Sequence, residues 1–256
     1  MTRPAVLVTG GAKRVGRSIC EAFGAAGWHV VVHYRSSDKA AHEVAASLPS
    51  AQTIQCDLTD DNALAGMVAE LSRELDDWRA CIASAAIFEP DEADALDASV
   101  FARSMATNAR APAQLAQAYL AKARAKGPRC MIDILDQKLE NPNPDFFSYT
   151  MSKHALASTV DMLAKHHAGT DARIYGLAPG AILPSHDQSA AETEVSHRLN
   201  LLRRKTNATE VAQGCLFLAQ GHLASGQVVF VDSGQHLLDQ PRDVIYLARE
   251  GETACP

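Results

Sequence analysis

Tyr149 and Lys153 stand four residues apart in a stretch, 149–168, with the pattern of a helix, so their side chains share one face. The pair reads in two ways. It is a solvated contact, or it is a chemical couple in which a lysine ammonium favours the phenolate and draws down a group whose ordinary pKa is about 10. A tyrosine so placed can hand a proton to an oxygen or nitrogen that gains electrons. Chemistry of another kind is suggested by Thr9 to Gly16, a glycine-bearing turn between the apolar run 5–8 and an amphipathic stretch from Arg17. Strand, phosphate-sized loop and helix in that order offer N–H groups and a positive helix end to a pyrophosphate. Any tight strand-to-helix turn also favours glycine.

The elements that must carry these residues follow from pattern and punctuation. Strands are expected at 5–8, 30–34, 53–56, 79–85, 130–135, 172–177 and 228–231. Helices are expected at 17–27, for about ten residues after Ser37 or Asp38, from 57–61 to near Leu75, within 92–126, and at 149–168 and 209–220. Residues 138–147 read as an irregular overhanging loop, and 181–206 as a polar lid with a short helix at 189–202. The tail after Pro241 is helical at best, packing on a neighbour or fraying. Alternating strands and helices call for an α/β fold, a doubly wound parallel sheet with helices on both faces. No linker divides the chain, so 1–256 reads as one domain. In such a sheet ligands bind beyond the carboxyl ends of the strands. The candidates fall there in turn: Thr9 to Gly16, Arg35, Asp57, Ala83 to Phe88, Asp136, and Pro179-Gly180.

Bulk properties exclude several classes. The 256 residues carry 30 acidic against 24 basic side chains, a net charge of −6 that argues against general nucleic-acid binding. No run approaches a membrane span, and the first residues enter a strand at once, so neither a membrane segment nor a signal peptide is expected. Cysteines 20, 56, 81, 130, 215 and 255 are scattered without a Cys-x-x-Cys and read as reduced thiols of a cytoplasmic protein. No His, Cys and carboxylate set has metal-ligand spacing, so no metal is expected.

Thr9-Gly10-x5-Gly16, Asp57-Leu58, Asn108, Tyr149-x3-Lys153 and Pro179-Gly180 resemble, in order and spacing, the short-chain dehydrogenase/reductase family over residues 5–238. The resemblance implies a seven-stranded Rossmann-like domain that binds NAD(P) without a metal and commonly forms tetramers. It also implies that Lys153 holds the nicotinamide ribose hydroxyls and that Asn108 belongs to a proton relay. Three departures narrow it: Arg14 stands in place of a middle glycine, Asp136 in place of a serine, and Ser84-Ala85-Ala86 in place of Asn-Ala-Gly. The first two are similar to the pteridine reductase branch, as are Lys13-Arg14-Val15-Gly16, His33-Tyr34-Arg35-Ser36-Ser37 and Tyr149-Thr-Met-Ser-Lys153. By that resemblance Phe88 stacks on a pterin ring; the alternative for the bare residue is core packing. Asp136 acts with Tyr149, or is a structural carboxylate.

The second strand ends without a carboxylate until Asp38, which argues for NADPH over NADH. Arg14 and Arg35 can meet a 2′-phosphate with fork contacts, helped by Ser36 or Ser37. The expected cofactor set is Gly10, Lys13, Arg14, Val15, Gly16, His33, Tyr34, Arg35, Ser36, Ser37, Asp57, Leu58, Ser84, Ala85, Lys153, Pro179 and Gly180. Asp57 would accept from the adenine amine or cap a helix. Catalysis falls to Tyr149, Lys153, Asp136 and Asn108, and the substrate to Phe88, Asp136, Tyr149, Ile182 and Leu183, with His186 and Asp187 in the cover. The expected reaction is hydride transfer from NADPH to a 7,8-dihydropterin. The alternatives are a carbonyl or 3-oxoacyl reductase of the same family, or a weakly catalytic nucleotide-binding or scaffold protein. A homotetramer acting on a small molecule, away from nucleic acid and membrane, completes the reading.

Overall fold

A computed structural model describes residues 3–185 and 187–253. Seven strands, β1 (Ala5–Val8), β2 (His29–Tyr34), β3 (Ala51–Gln55), β4 (Trp78–Ala83), β5 (Arg129–Ile134), β6 (Ala172–Pro179) and β7 (Gln227–Val231), form one sheet in the order β3-β2-β1-β4-β5-β6-β7. Every neighbouring pair is parallel. The chain winds outward from β1 to β3, then restarts at β4 on the other side. That reversal opens a crevice between the ends of β1 and β4.

Strand alternation splits the buried side chains between two layers. Val6 and Val8 face α1 (Arg14–Ala25), α2 (Asp38–Ser47) and α8 (Ala208–Ala219), through Ile19, Phe23, Val44 and Val211. Leu7, Met131 and Leu135 face α3 (Asp61–Glu74), α5 (Ala111–Lys122) and α6 (Phe147–His166), through Leu71, Leu115 and Leu156. Such side chains contribute about 1.5–3 kcal/mol each when fully buried. The two layers therefore clamp the sheet and fix where its strand ends lie. Cys20, Cys56, Cys81, Cys130 and Cys215 are free thiols buried in these layers; Cys255 lies outside the described residues.

Several boundaries differ from the pattern reading, each for a local reason. The helical stretch expected over 92–126 starts only at α4 (Ala98–Met105), where the Asp97 carboxylate caps the N–H groups of Ser99 and Val100. Before it, Asp91 is drawn to the start of α6 by accepting from the Ser148 N–H and hydroxyl. A π turn, Ala106–Arg110, joins α4 to α5, and α5 stops at Lys122. Beyond that point Asp77 accepts from Lys126 N and Arg124 O from Trp78 N. The fourth strand ends at Ala83 rather than 85, because the Ser84 and Ala85 N–H groups both bond the Thr9 hydroxyl. The lid helix is α7 (Ala190–Ser196), with a Ser189/Glu192 capping box, and does not reach 202. Asn200 ends it by donating to the carbonyls of His197 and Arg204. The tail is helical in its described part. It forms α9 (Val244–Thr253) and packs Ile245 against Phe146 and Tyr149 of the same chain. Among the described residues no helix is long and apolar enough to cross a membrane.

Candidate active site

The crevice is a cleft of about 620 Å³ that runs from the ends of β2 and β3, past the β1 loop, to α6 and the start of α9. Its nucleotide-sized end is shaped by close backbone approaches. A Cβ on Gly16 would lie 2.3 Å from Gly10 O, and one on Gly10 would press on the Ala85 backbone at 3.1 Å. Only glycine lets the loop fold onto its own helix and onto the turn after β4. Thr9, buried, ties the same turn through its hydroxyl. Helix α1 has no side-chain cap and no acidic residue in its first turn, so its N–H groups remain for a ligand.

His33 lines this end without offering a ring nitrogen to it. Its Nδ1 accepts from Gly10 N at 3.1 Å, and its Nε2 donates to Cys56 O at 3.0 Å. Burial lowers it to about 4, so the ring is neutral and braces the loop against β3. The Tyr34 hydroxyl donates to Asp38 at 2.7 Å, which occupies the first acid after β2. Arg35 and Ser36 are exposed at the rim, and no hydrogen bond from the Arg35 guanidinium occurs among the described residues. Asp57 does not cap α3. Its Oδ1 accepts from the Thr59 N–H and hydroxyl, while Asp60 makes the cap. Lys13, Val15, Ser37, Leu58, Ser84, Ala85, Pro179 and Gly180 also line the cleft.

Arg14 lines the cleft as expected, and its side chain also reaches the lid. It adopts φ 52, the left-handed region where glycine is at ease, which accounts for the glycine usual there. Its guanidinium donates to the lid carbonyls of Pro184 at 3.0 Å and Leu183 at 3.5 Å. Ile182 and Leu183 line the cleft beneath this contact. Asp187 pairs with Arg249 of α9; His186 lies outside the described residues.

At the other end Tyr149, buried, donates its hydroxyl proton to Asp136 Oδ2 at 2.7 Å, and Asp136 Oδ1 accepts from Lys138 N. Lys153 donates to Ile134 O at 2.7 Å and lies 5.7 Å from the Tyr149 ring centre. Burial, then the Asp136 charge and hydrogen bond, push Tyr149 far up. Burial also raises Asp136, and lowers Lys153 to about 8. The couple is therefore a neutral phenol held on a carboxylate. In this state the lysine-favoured phenolate expected from the four-residue spacing is absent, because burial and Asp136 outweigh Lys153. Asn108 sits in the π turn, where its amide clamps both backbone groups of Ile87 and donates to Ser152 Oγ. It does not line the cleft and instead positions the segment that carries Phe88.

Phe88 stacks on Phe146 at 4.0 Å and meets Tyr149 edge-on at 4.7 Å, so it packs and lines the cleft at once. The residues that complete this wall were not legible. Lys138 forms a buried ion pair with Asp243 at 2.6 Å, and both line the cleft with Val244 and Ile245. Asp145 fastens the arrangement by accepting from Arg242 Nε and Asp243 N. His197 also lines the cleft, its Nδ1 on Ser196 Oγ at 3.0 Å. The only available signal was the apolar run 244–246 directly after Asp243, which needed a partner.

Residues 10–236 match a family model described as enoyl-(acyl carrier protein) reductase. The fold superposes on FolM alternative dihydrofolate reductase 1 from Brucella canis, solved in complex with NADP, with TM-score 0.86 and 30% identity over 94% of this chain and 96% of that one. It also superposes on the angucycline C-6 ketoreductase LanV with bound NADP, with TM-score 0.84 and 25% identity over 92% and 96% of the two chains. Pteridine reductase 1 from Leishmania tarentolae is 28% identical, covering 92% of this chain and 97% of its own length.

Proposed function

This chain belongs to the short-chain dehydrogenase/reductase family, and we propose that it reduces a 7,8-dihydropterin, of the dihydromonapterin or dihydrobiopterin kind, to the tetrahydropterin with NADPH. The residues fit that cofactor. Gly10 and Gly16 leave a cradle that a Cβ would fill, and α1 presents uncapped N–H groups to it. Arg35 and Ser36 border it where Tyr34 has occupied the first carboxylate. Relatives solved with NADP support the same choice. NADPH bound there supplies the hydride.

The chain's own groups handle protons and position. Tyr149, neutral through burial and hydrogen-bonded to Asp136, holds a proton that it can turn from that carboxylate to a ring nitrogen or carbonyl oxygen gaining electrons. Asp136, raised by burial, can take up a proton in turn. Lys153 carries the charge that holds ribose hydroxyls, and Phe88 walls the substrate space. The lid, latched by Arg14, keeps water from the reacting atoms.

One observation carries the pterin reading: the 2.7 Å hydrogen bond from Tyr149 to Asp136 beside the Phe88 ring. A carboxylate there suits the amino- and imino-rich edge of a pterin better than a plain ketone. The likeness to a ketoreductase favours a second reading, a carbonyl or 3-oxoacyl reductase. Loss of NADPH absorbance with 7,8-dihydropterins, simple ketones and acyl thioesters separates them. Turnover of ketones or thioesters without dihydropterin overturns the pterin reading, and binding without any turnover leaves a nucleotide-binding protein. We read the assembly as a cytoplasmic homotetramer, as the family resemblance implies; light scattering tests the subunit number.

A further inference from the structure

The Lys153 ammonium lies inside the protein with a hydrogen bond to Ile134 O. A buried cation is costly without a counter-charge. Two carboxylates act on it, Asp136 and Asp133. Asp136 is committed, with one oxygen on the Tyr149 hydroxyl and the other on Lys138 N. Asp133 is not. It precedes the carbonyl that Lys153 reaches, is 0% exposed, and has no hydrogen-bond partner on either carboxylate oxygen among the described residues. Its strand neighbours are Ala83 and Gly176, which bring no polar side chain. By alternation along β5 its side chain falls on the face of Met131 and Leu135, the layer that includes α6.

We propose that Asp133 is a positioning residue, the counter-charge that keeps Lys153 an ammonium above neutral pH and so able to hold a ribose hydroxyl. The proposal rests on the role given to Lys153 above. Four groups surround the pair. Asp136 faces Lys153 from the end of β5, and Tyr149 shares its helix. Lys138 faces Asp136 from the turn that follows. Cys81 faces Asp133 from β4, its thiol pushed up by burial and so uncharged. Burial raises Asp133 to about 7 and lowers Lys153 to about 8, while each charge favours the other. Both therefore change charge where enzymes are readily assayed.

The test uses Asp133→Asn, with Asp133→Ser as a second variant. NADPH affinity, read by cofactor fluorescence without any substrate, and turnover of 7,8-dihydropterin are followed from neutral to alkaline pH. The alkaline limb of both should move down by about one pH unit, the effect of losing a nearby opposite charge. A purely structural role would leave that limb in place, and an unmoved limb overturns the proposal. If the NADPH limb shifts while no dihydropterin is consumed, the pterin reading fails and the role of Asp133 stands.

Discussion

At the nucleotide end of the cleft the contacts run between the ends of adjacent strands: Thr9 to the turn after β4, Gly10 to His33, His33 to Cys56. At the substrate end they run between a loop, a lid and the last helix: Lys138 to Asp243, Asp145 to Arg242, Arg249 to Glu192. The first end inherits its geometry from the sheet. The second is assembled from pieces that the sheet does not place, and ion pairs hold it. A strand-end site can accept a cofactor common to a whole family, while a wall of separate segments is free to vary with the substrate.

That contrast breaks if damage at one end spreads to the other. Asp243→Asn leaves Lys138 buried without its charge partner and should cost about 3–5 kcal/mol in chemical denaturation. The folded fraction should still bind NADPH as the parent does; a parallel loss of NADPH affinity would unite the two ends. Replacing both residues, Lys138→Met with Asp243→Leu, should recover most of that stability. At the nucleotide end acid is the probe. The folded pKa of His33 lies below its ordinary 6.5, so its stabilising contribution holds at neutral pH and is lost as pH falls from 6.5 through about 4. The loss should approach roughly 3 kcal/mol, and His33→Asn should flatten this part of the pH–stability curve.

Smaller effects sharpen the division. Tyr149→Phe should lower kcat by about 100-fold while leaving NADPH affinity within about twofold. Full activity in that variant would remove the proton from Tyr149. Arg35→Ala should reduce the preference for NADPH over NADH by about tenfold, measured as the ratio of their dissociation constants, with dihydropterin KM little changed. An unaltered ratio would move the 2′-phosphate elsewhere along the rim.

The same division decides what could be read from the chain before its structure. Alternating apolar runs and turns were enough to place Thr9 to Gly16, Arg35, Asp57 and Asp136 at strand ends, because a parallel sheet has few ways to wind. Tyr149 and Lys153 followed from helical spacing. Arg14 was noticed as a departure, yet its direction was not legible, since a left-handed φ turns the side chain toward the lid. Lys138 and Asp243 were hidden for another reason. Each looks like an ordinary surface charge, and only the tertiary fold brings the loop and the tail together in a buried pair. Asp133 lay unnoticed inside an apolar strand run, where no partner in sequence marks it.

Asp145 accepts from residues 97 and 98 positions further along the chain, whereas the Gly10 to His33 bond spans 23. Longer loops cost more entropy to close, and β6 and β7 lie between the two ends of the longer one. Closing the wall around Phe88 and Tyr149 therefore costs somewhat more chain entropy than joining Gly10 to His33, and its ion pairs and ring contacts must offset that cost.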